Sequence, residues 1–76
     1  PNPATSIIQV SYSTIETNVA ITIMDINGRI IYNKPNLNPE GSLEVFINDW
    51  SNTTYFVVLR GTNNNVLKTA KLVITD

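Results

Sequence analysis

Short segments in which apolar and polar residues alternate follow one another along the chain. The first segment places Ile8, Val10 and Tyr12 on one side, as in a half-buried strand. In a later segment, around Val57, both sides are apolar, which is typical of a central strand covered on both faces. No segment has the 3.6-residue periodicity of a helix. The pattern predicts six strands, at residues 6–12, 19–24, 29–33, 43–47, 55–59 and 66–75.

Turn-forming residues separate these segments. Asn27-Gly28 lies between two apolar runs and predicts a hairpin with a type I′ turn, which needs positive φ at both central residues. Residues 34–42 contain Pro35 and Pro39 among asparagines, and we expect them to form a loop that crosses between two sheets. Further polar turns are predicted at residues 48–53 and 61–65.

Six strands with turns about every ten residues predict one small all-β domain over residues 1–76, an antiparallel immunoglobulin-like β-sandwich of about six to seven strands. A barrel is the alternative. We expect Trp50 to pack over one end of the core. The predicted core residues are Ile8, Val10, Val19, Ile21, Ile23, Val45, Ile47, Tyr55, Val57, Leu59 and Leu72.

The composition excludes several classes of function. Five basic and six acidic residues are spread over 76 positions, so no basic stripe is present for binding nucleic acid. Histidine and cysteine are absent, which removes the usual general base and the thiol nucleophile. The carboxylates lie at strand ends or alternate outward, where nothing would separate their pKa values. The chain is therefore expected to be no enzyme and to need no cofactor.

Three further patterns suggest a function but also have a structural interpretation. Residues 25–28 resemble the start of a calcium loop, but the position where such a loop needs glutamate is Lys34. We therefore expect no metal site, and a hairpin turn in which Asp25 bonds local amides. Trp50 could form a sugar-binding platform with tyrosines, but only if Tyr55 left the core. Lys68 and Lys71 should point to opposite faces of the last strand and protect its edge.

Four short motifs follow one another in a fixed order along the chain. They are Pro1, Asn2 and Pro3; Asp25, Gly28 and Arg29; Tyr55 and Val57; and Lys71, Leu72 and Val73. Taken together, these motifs resemble the C-terminal sorting domain of the type IX secretion system of Bacteroidota. The resemblance covers nearly the whole chain and depends on the order of the motifs. Two positions depart from the family pattern, Thr53 in place of a glycine and Ala70 in place of a first lysine.

The resemblance implies a non-catalytic signal at the C-terminal end of a longer secreted precursor. Its expected partners are an outer-membrane shuttle receptor, the translocon, a sortase-like peptidase that attaches cargo to surface lipopolysaccharide, and the cargo in the same chain. The protein would pass through the periplasm and be secreted or held at the cell surface. The expected recognition residues are Lys68, Lys71, Leu72, Val73 and Ile74, because the last strand could offer its backbone edge to a receptor.

Most of the other motif residues have a structural interpretation. The prolines set an extended entry to the first strand, Gly28 supplies positive φ, and Tyr55 fills the core while its hydroxyl finds a partner. The alternative function is an accessory immunoglobulin-like or fibronectin-like spacer, or a carbohydrate-binding module that uses Trp50 and exposed tyrosines. The sequence leaves the oligomeric state and the nature of the cargo open.

Overall fold

The computed structural model describes residues 7–16 and 18–75. These residues form six strands and a single 3₁₀ turn at Thr62–Asn64, and they contain no α-helix. Every strand pairing is antiparallel. The strands are β1 (Ile7–Ser13), β2 (Val19–Asp25), β3 (Ile30–Leu37), β4 (Glu40–Phe46), β5 (Thr54–Arg60) and β6 (Val66–Val73).

The strands form two sheets of unequal width. β1 and β4 make a two-stranded sheet, and the other four strands pair in the order β3-β2-β5-β6. Apolar side chains of the narrow sheet pack against one face of the wide sheet, which we call the inner face. The predicted all-β antiparallel sandwich is therefore confirmed. The opposite face of the wide sheet is the outer face.

The centre of the core lies between β2, β4 and β5. Ile21, Ile23, Val45 and Tyr55 form a fully buried cluster, since alternation directs one side of each strand inward. Val19 is also fully buried. The other predicted core residues are half-buried and pack against the cluster, together with Trp50, and they are Ile8, Val10, Ile47, Val57, Leu59 and Leu72.

Two residues of the outer face are buried, although they are not among the predicted core residues. Thr22 is 2% exposed and Val58 is 3% exposed, and they are directly opposite each other in neighbouring strands. All six described strands belong to the two sheets, so no further described strand covers the outer face. Adjacent side chains therefore shield these two residues from solvent. The Thr22 hydroxyl donates to Oδ1 of Asn33 at 2.8 Å. This bond satisfies the buried hydroxyl.

The predicted loop at residues 34–42 is wrong in its extent, although the chain does cross from one sheet to the other there, as expected. β3 continues to Leu37 and β4 begins at Glu40, so only two residues connect the strands. Pro35 fits inside β3 because this strand lies at the edge of its sheet, where a proline removes no necessary ladder bond. Asn36 has a φ of 59°, and the pairing of β2 with β3 shifts register in this region. A bulge therefore accommodates Pro35 and Asn36 within β3, and Pro39 lies in the connection to β4.

The hairpin between β2 and β3 is confirmed, but its predicted turn type is wrong. The N–H of Gly28 donates to the carbonyl of Asp25 at 3.0 Å. Of the two central residues predicted to have positive φ, only Gly28 does, at 83°. A turn over residues 25–28 whose last residue is a left-handed glycine is a usual form of a longer hairpin loop. This form of the loop is stabilised here because the Asp25 side chain accepts hydrogen bonds from backbone N–H groups within the loop.

Candidate functional site

Three sequence motifs that are far apart along the chain meet at one end of the wide sheet. Asp25, at the end of β2, is paired with Tyr55 at the start of β5. Tyr55 is paired in turn with Leu72, near the end of β6. The hairpin motif, the central tyrosine motif and the terminal lysine motif therefore lie side by side on three neighbouring strands. We call this region the motif end.

The hairpin at the motif end is held together by Asp25. Oδ1 of Asp25 accepts hydrogen bonds from the N–H groups of Asn27 and Arg29, both at 2.9 Å. Its Oδ2 lies 3.3 Å from Nε of Arg29, whose side chain is mostly exposed. The bond from the Arg29 N–H lowers the pKa of Asp25 below its ordinary value; desolvation opposes this, and the Asn27 N–H and the Arg29 charge add to the lowering. These contacts confirm the structural interpretation of Asp25.

The lowered pKa of Asp25 predicts a contribution to stability that depends on pH. Because its pKa is lower in the folded chain than in the unfolded chain, the contribution is present above about pH 4 and is lost as pH falls through the folded pKa. Between pH 6 and pH 2 the wild type should therefore lose more unfolding free energy than Asp25→Asn, measured by urea denaturation. Asp49→Asn controls for net charge. Equal losses in the wild type and Asp25→Asn would contradict this role.

Tyr55 and Trp50 form the apolar part of the motif end. Tyr55 is 3% exposed, and its hydroxyl donates to the carbonyl of Ser51 at 2.8 Å. The rings of Trp50 and Tyr55 lie with their centroids 5.1 Å apart and their planes tilted by 44°. The predicted role of Tyr55, a core ring with a bonded hydroxyl, is confirmed. Trp50 covers it at the end of the core, as expected.

The five predicted recognition residues, four of which belong to β6, do not share one face of the sheet. Leu72 and Ile74 are half-buried and pack against the core cluster. Lys71 is paired with Phe56 and Lys68 with Leu59, so the two lysines point to opposite faces of the sheet, as predicted. Lys68 lies on the inner side. Lys71 and Val73 lie on the outer face, where Val73 is 55% exposed.

Lys71 ends a row of side chains that crosses the outer face. Ile30 of β3 is paired with Met24 of β2, Met24 with Phe56 of β5, and Phe56 with Lys71. Side chains paired in this way are about 5 Å apart. Ile30 is 59% exposed, and Met24 and Phe56 are half-buried. The row therefore offers an apolar strip with a positive charge at one end, which we call the Lys71 row.

The comparison with protein families agrees with the arrangement of these motifs. The model of the family described as the secretion system C-terminal sorting domain matches residues 1–75 of this chain. The chain belongs to this family. No curated protein and no solved structure is similar enough to give a significant match. Membership supports a sorting signal for type IX secretion, which acts with the secretion machinery and with N-terminal cargo, and whose product is exported across the outer membrane.

The described part of the sorting domain offers no cluster of metal ligands. Within residues 7–16 and 18–75 no group of three or more acidic, histidine or cysteine residues could hold a metal ion. No helix in these ranges is long and apolar enough to cross a membrane. Sorting domains of this family are generally non-catalytic. Pro1, Asn2 and Pro3, the opening motif, lie outside the described residues.

The aromatic residues considered for carbohydrate binding pack against the core. Tyr55 belongs to the buried core cluster, and Tyr12, Tyr32 and Trp50 are partly buried against it. An aromatic platform for sugars requires ring faces open to solvent. The burial of Tyr55 therefore removes one ring from such a platform, and no observation favours the carbohydrate-binding alternative.

Sequence reasoning missed the apolar members of the Lys71 row. Because both sides of β5 are apolar, the sequence pattern predicts that a second layer covers Phe56, and it assigns no face to Ile30. The structure shows that both residues belong to the outer face, next to Lys71. The sequence does contain an indication of this arrangement, because the outward side of β5, the strand next to the terminal lysine motif, is apolar. The register between β5 and β6 was needed to use it.

Proposed function

We propose that the chain is a non-catalytic sorting signal at the C-terminal end of a secreted precursor. It directs its N-terminal cargo through the periplasm to the type IX translocon, across the outer membrane and on to the cell surface. The family match over residues 1–75 is the observation that carries the proposal. An outer-membrane shuttle receptor binds the signal, and a sortase-like peptidase acts on it afterwards.

The recognition surface in this proposal is the Lys71 row with Val73. Lys71 supplies a positive charge, and Ile30 and Val73 supply exposed apolar area on the same face. Leu72 and Ile74 have an indirect role in this surface, because their packing on the core cluster holds the end of β6 in place. A partner that fits this surface has apolar side chains and a carboxylate placed to meet Lys71.

Reversing the charge of Lys71 tests this surface. In the full-length precursor, Lys71→Glu should reduce the secreted cargo to about a tenth of the wild-type amount, since about 1.4 kcal/mol of lost binding is a tenfold effect. The measurement is the cargo in the medium and on the cell surface against the cargo inside the cell. Lys34→Glu is the matched control, because Lys34 is an exposed lysine of β3 away from the row.

The substitution of Lys71 tests the recognition surface more specifically than removal of the chain end does. Deleting residues 71–76 also removes Leu72 and Ile74 from the core, so retained cargo could result from unfolding alone. Lys71 is exposed, and its substitution should leave the unfolding curve of the domain unchanged. Export of the Lys71→Glu precursor at the wild-type level, with the control also exported, would refute the proposed surface.

A further inference from the structure

The sandwich is open along one side. On the other side the short connection between β3 and β4 joins the two sheets. On the open side, a groove of about 380 Å³ lies between β1 and β6. Its floor is apolar and is supplied by the inner face of the wide sheet. Its lining includes Val10, Tyr12, Val57, Leu59, Lys68 and Ala70.

The groove reaches the backbone edge of β1 but only the side chains of β6. Four consecutive residues of β1, numbers 10–13, line it, although successive side chains of a strand point to opposite faces. From β6, by contrast, only the alternate residues Lys68 and Ala70 take part. A chain segment lying in the groove would therefore run beside the backbone of β1 and rest on side chains from β5 and β6.

The edge of β1 beside this groove lacks the features that keep strands from pairing with other chains. Such features are charges, prolines and bulges. β3 has Lys34 and Pro35, β4 has Glu40 and Glu44, and β6 has its two lysines. β1 has no charged residue and no proline, and its seven pairs with β4 run without a register shift. In the described part of the chain no strand pairs with its other edge.

From these observations we infer that the groove accepts an extended peptide from another protein, which adds to the narrow sheet as a third strand beside β1. Its backbone pairs with the free edge of β1, and its inward side chains cover Val57 and Leu59. The groove has room for roughly two such side chains, since a cavity of about 150 Å³ holds a benzene ring. The third strand would extend the narrow sheet over the wide one.

The charge at the groove indicates a feature of the peptide sequence. Lys68 brings a positive charge to the lining, and an acidic side chain in the peptide would meet it at the open side. The peptide therefore alternates apolar and polar residues and has a carboxylate among its inward side chains. This site is separate from the Lys71 row, because Lys68 and Lys71 lie on opposite faces of β6.

Two synthetic peptides test the site on the ¹⁵N-labelled chain. Each has nine residues that alternate valine and threonine, with either glutamate or lysine in place of the central valine. The peptide with glutamate should shift the amide signals of β1 and slow their hydrogen exchange. It should bind more tightly than the peptide with lysine. Protection at β3 or β6 without protection at β1, or no binding of either peptide, would overturn the inference.

Charge reversal at Lys68 provides the second arm. Lys68→Glu should weaken binding of the peptide with glutamate about fivefold and strengthen binding of the peptide with lysine by a similar factor. Lys71→Glu, on the other face of the same strand, should leave both affinities unchanged. An unchanged preference in Lys68→Glu would refute the inference. So would self-association of the chain through β1 in sedimentation runs without peptide, because the edge would then bind a second copy.

Discussion

Replacing Tyr55 by alanine should lower the free energy of unfolding of the domain by about 3–5 kcal/mol. The ring is almost fully buried and in contact with Trp50, so its loss leaves a cavity that Trp50 and Leu72 cannot close without leaving their own positions. At roughly 0.05–0.15 kcal/mol per residue, a domain of 76 residues has a total stability of about 4–11 kcal/mol. The substitution would therefore remove a large part of the stability, measured as a shift of the urea midpoint.

A milder substitution at the same position separates the ring from its hydroxyl. Tyr55→Phe keeps the ring and removes the donor to the Ser51 carbonyl, which should cost about 1 kcal/mol. Substitution of the exposed Ile26 by alanine, a residue 63% exposed, should change little. If Tyr55→Ala were as mild as Tyr55→Phe, the ring could not be the main apolar contribution at the motif end.

The second large effect is expected at Gly61, where Gly61→Ala should cost about 1–3 kcal/mol through overpacking. Gly61 is buried, and an added Cβ would collide with the carboxylate of Glu16 and would lie 2.9 Å from Cδ1 of Leu67. The carboxylate can move away only by breaking a hydrogen bond. Its Oε1 accepts a hydrogen bond from the N–H of Thr62 at 2.9 Å, which links the loop before β2 to the turn before β6.

A double-mutant cycle identifies Glu16 as the source of this cost. Glu16→Ala alone should cost about 1 kcal/mol through the lost hydrogen bond. In Glu16→Ala with Gly61→Ala, the collision with the carboxylate is absent, so the total should be smaller than the sum of the single effects by about 1 kcal/mol. The measurement is equilibrium urea unfolding of all four proteins. Strict additivity would mean that Leu67 or the backbone, and not Glu16, opposes the added methyl group.

Both predictions concern residues that link distant parts of the chain. Tyr55 lies between the hairpin of Asp25 and the end of β6, and Gly61 lies where Glu16 contacts the last turn. Damage at either position should disturb β6 and therefore the Lys71 row. A loss of export in such variants would report on folding, whereas Lys71→Glu changes only an exposed charge. The two kinds of variant together separate the fold of the domain from its recognition.

Local sequence patterns predicted most of the secondary structure because the forces involved act between near neighbours. Alternation identified the six strands, and the Asn27-Gly28 pair identified the hairpin, since few residues accept positive φ. The same reasoning failed at residues 34–42. Prolines and asparagines there indicated a loop, although a bulged edge strand tolerates them as well. Whether a strand is central or at an edge depends on its partners, and a local pattern contains no record of them.

The sequence by itself therefore determined the class of fold, the motifs that place the chain in its family, and the opposite directions of Lys68 and Lys71. Only the tertiary structure decided that Lys71 shares a row with Phe56 and Ile30, and that the edge of β1 lies open beside a groove. The reason is physical. Side-chain direction alternates along any strand, but neighbours across a sheet and unpaired edges are set by the pairing of segments far apart in the chain.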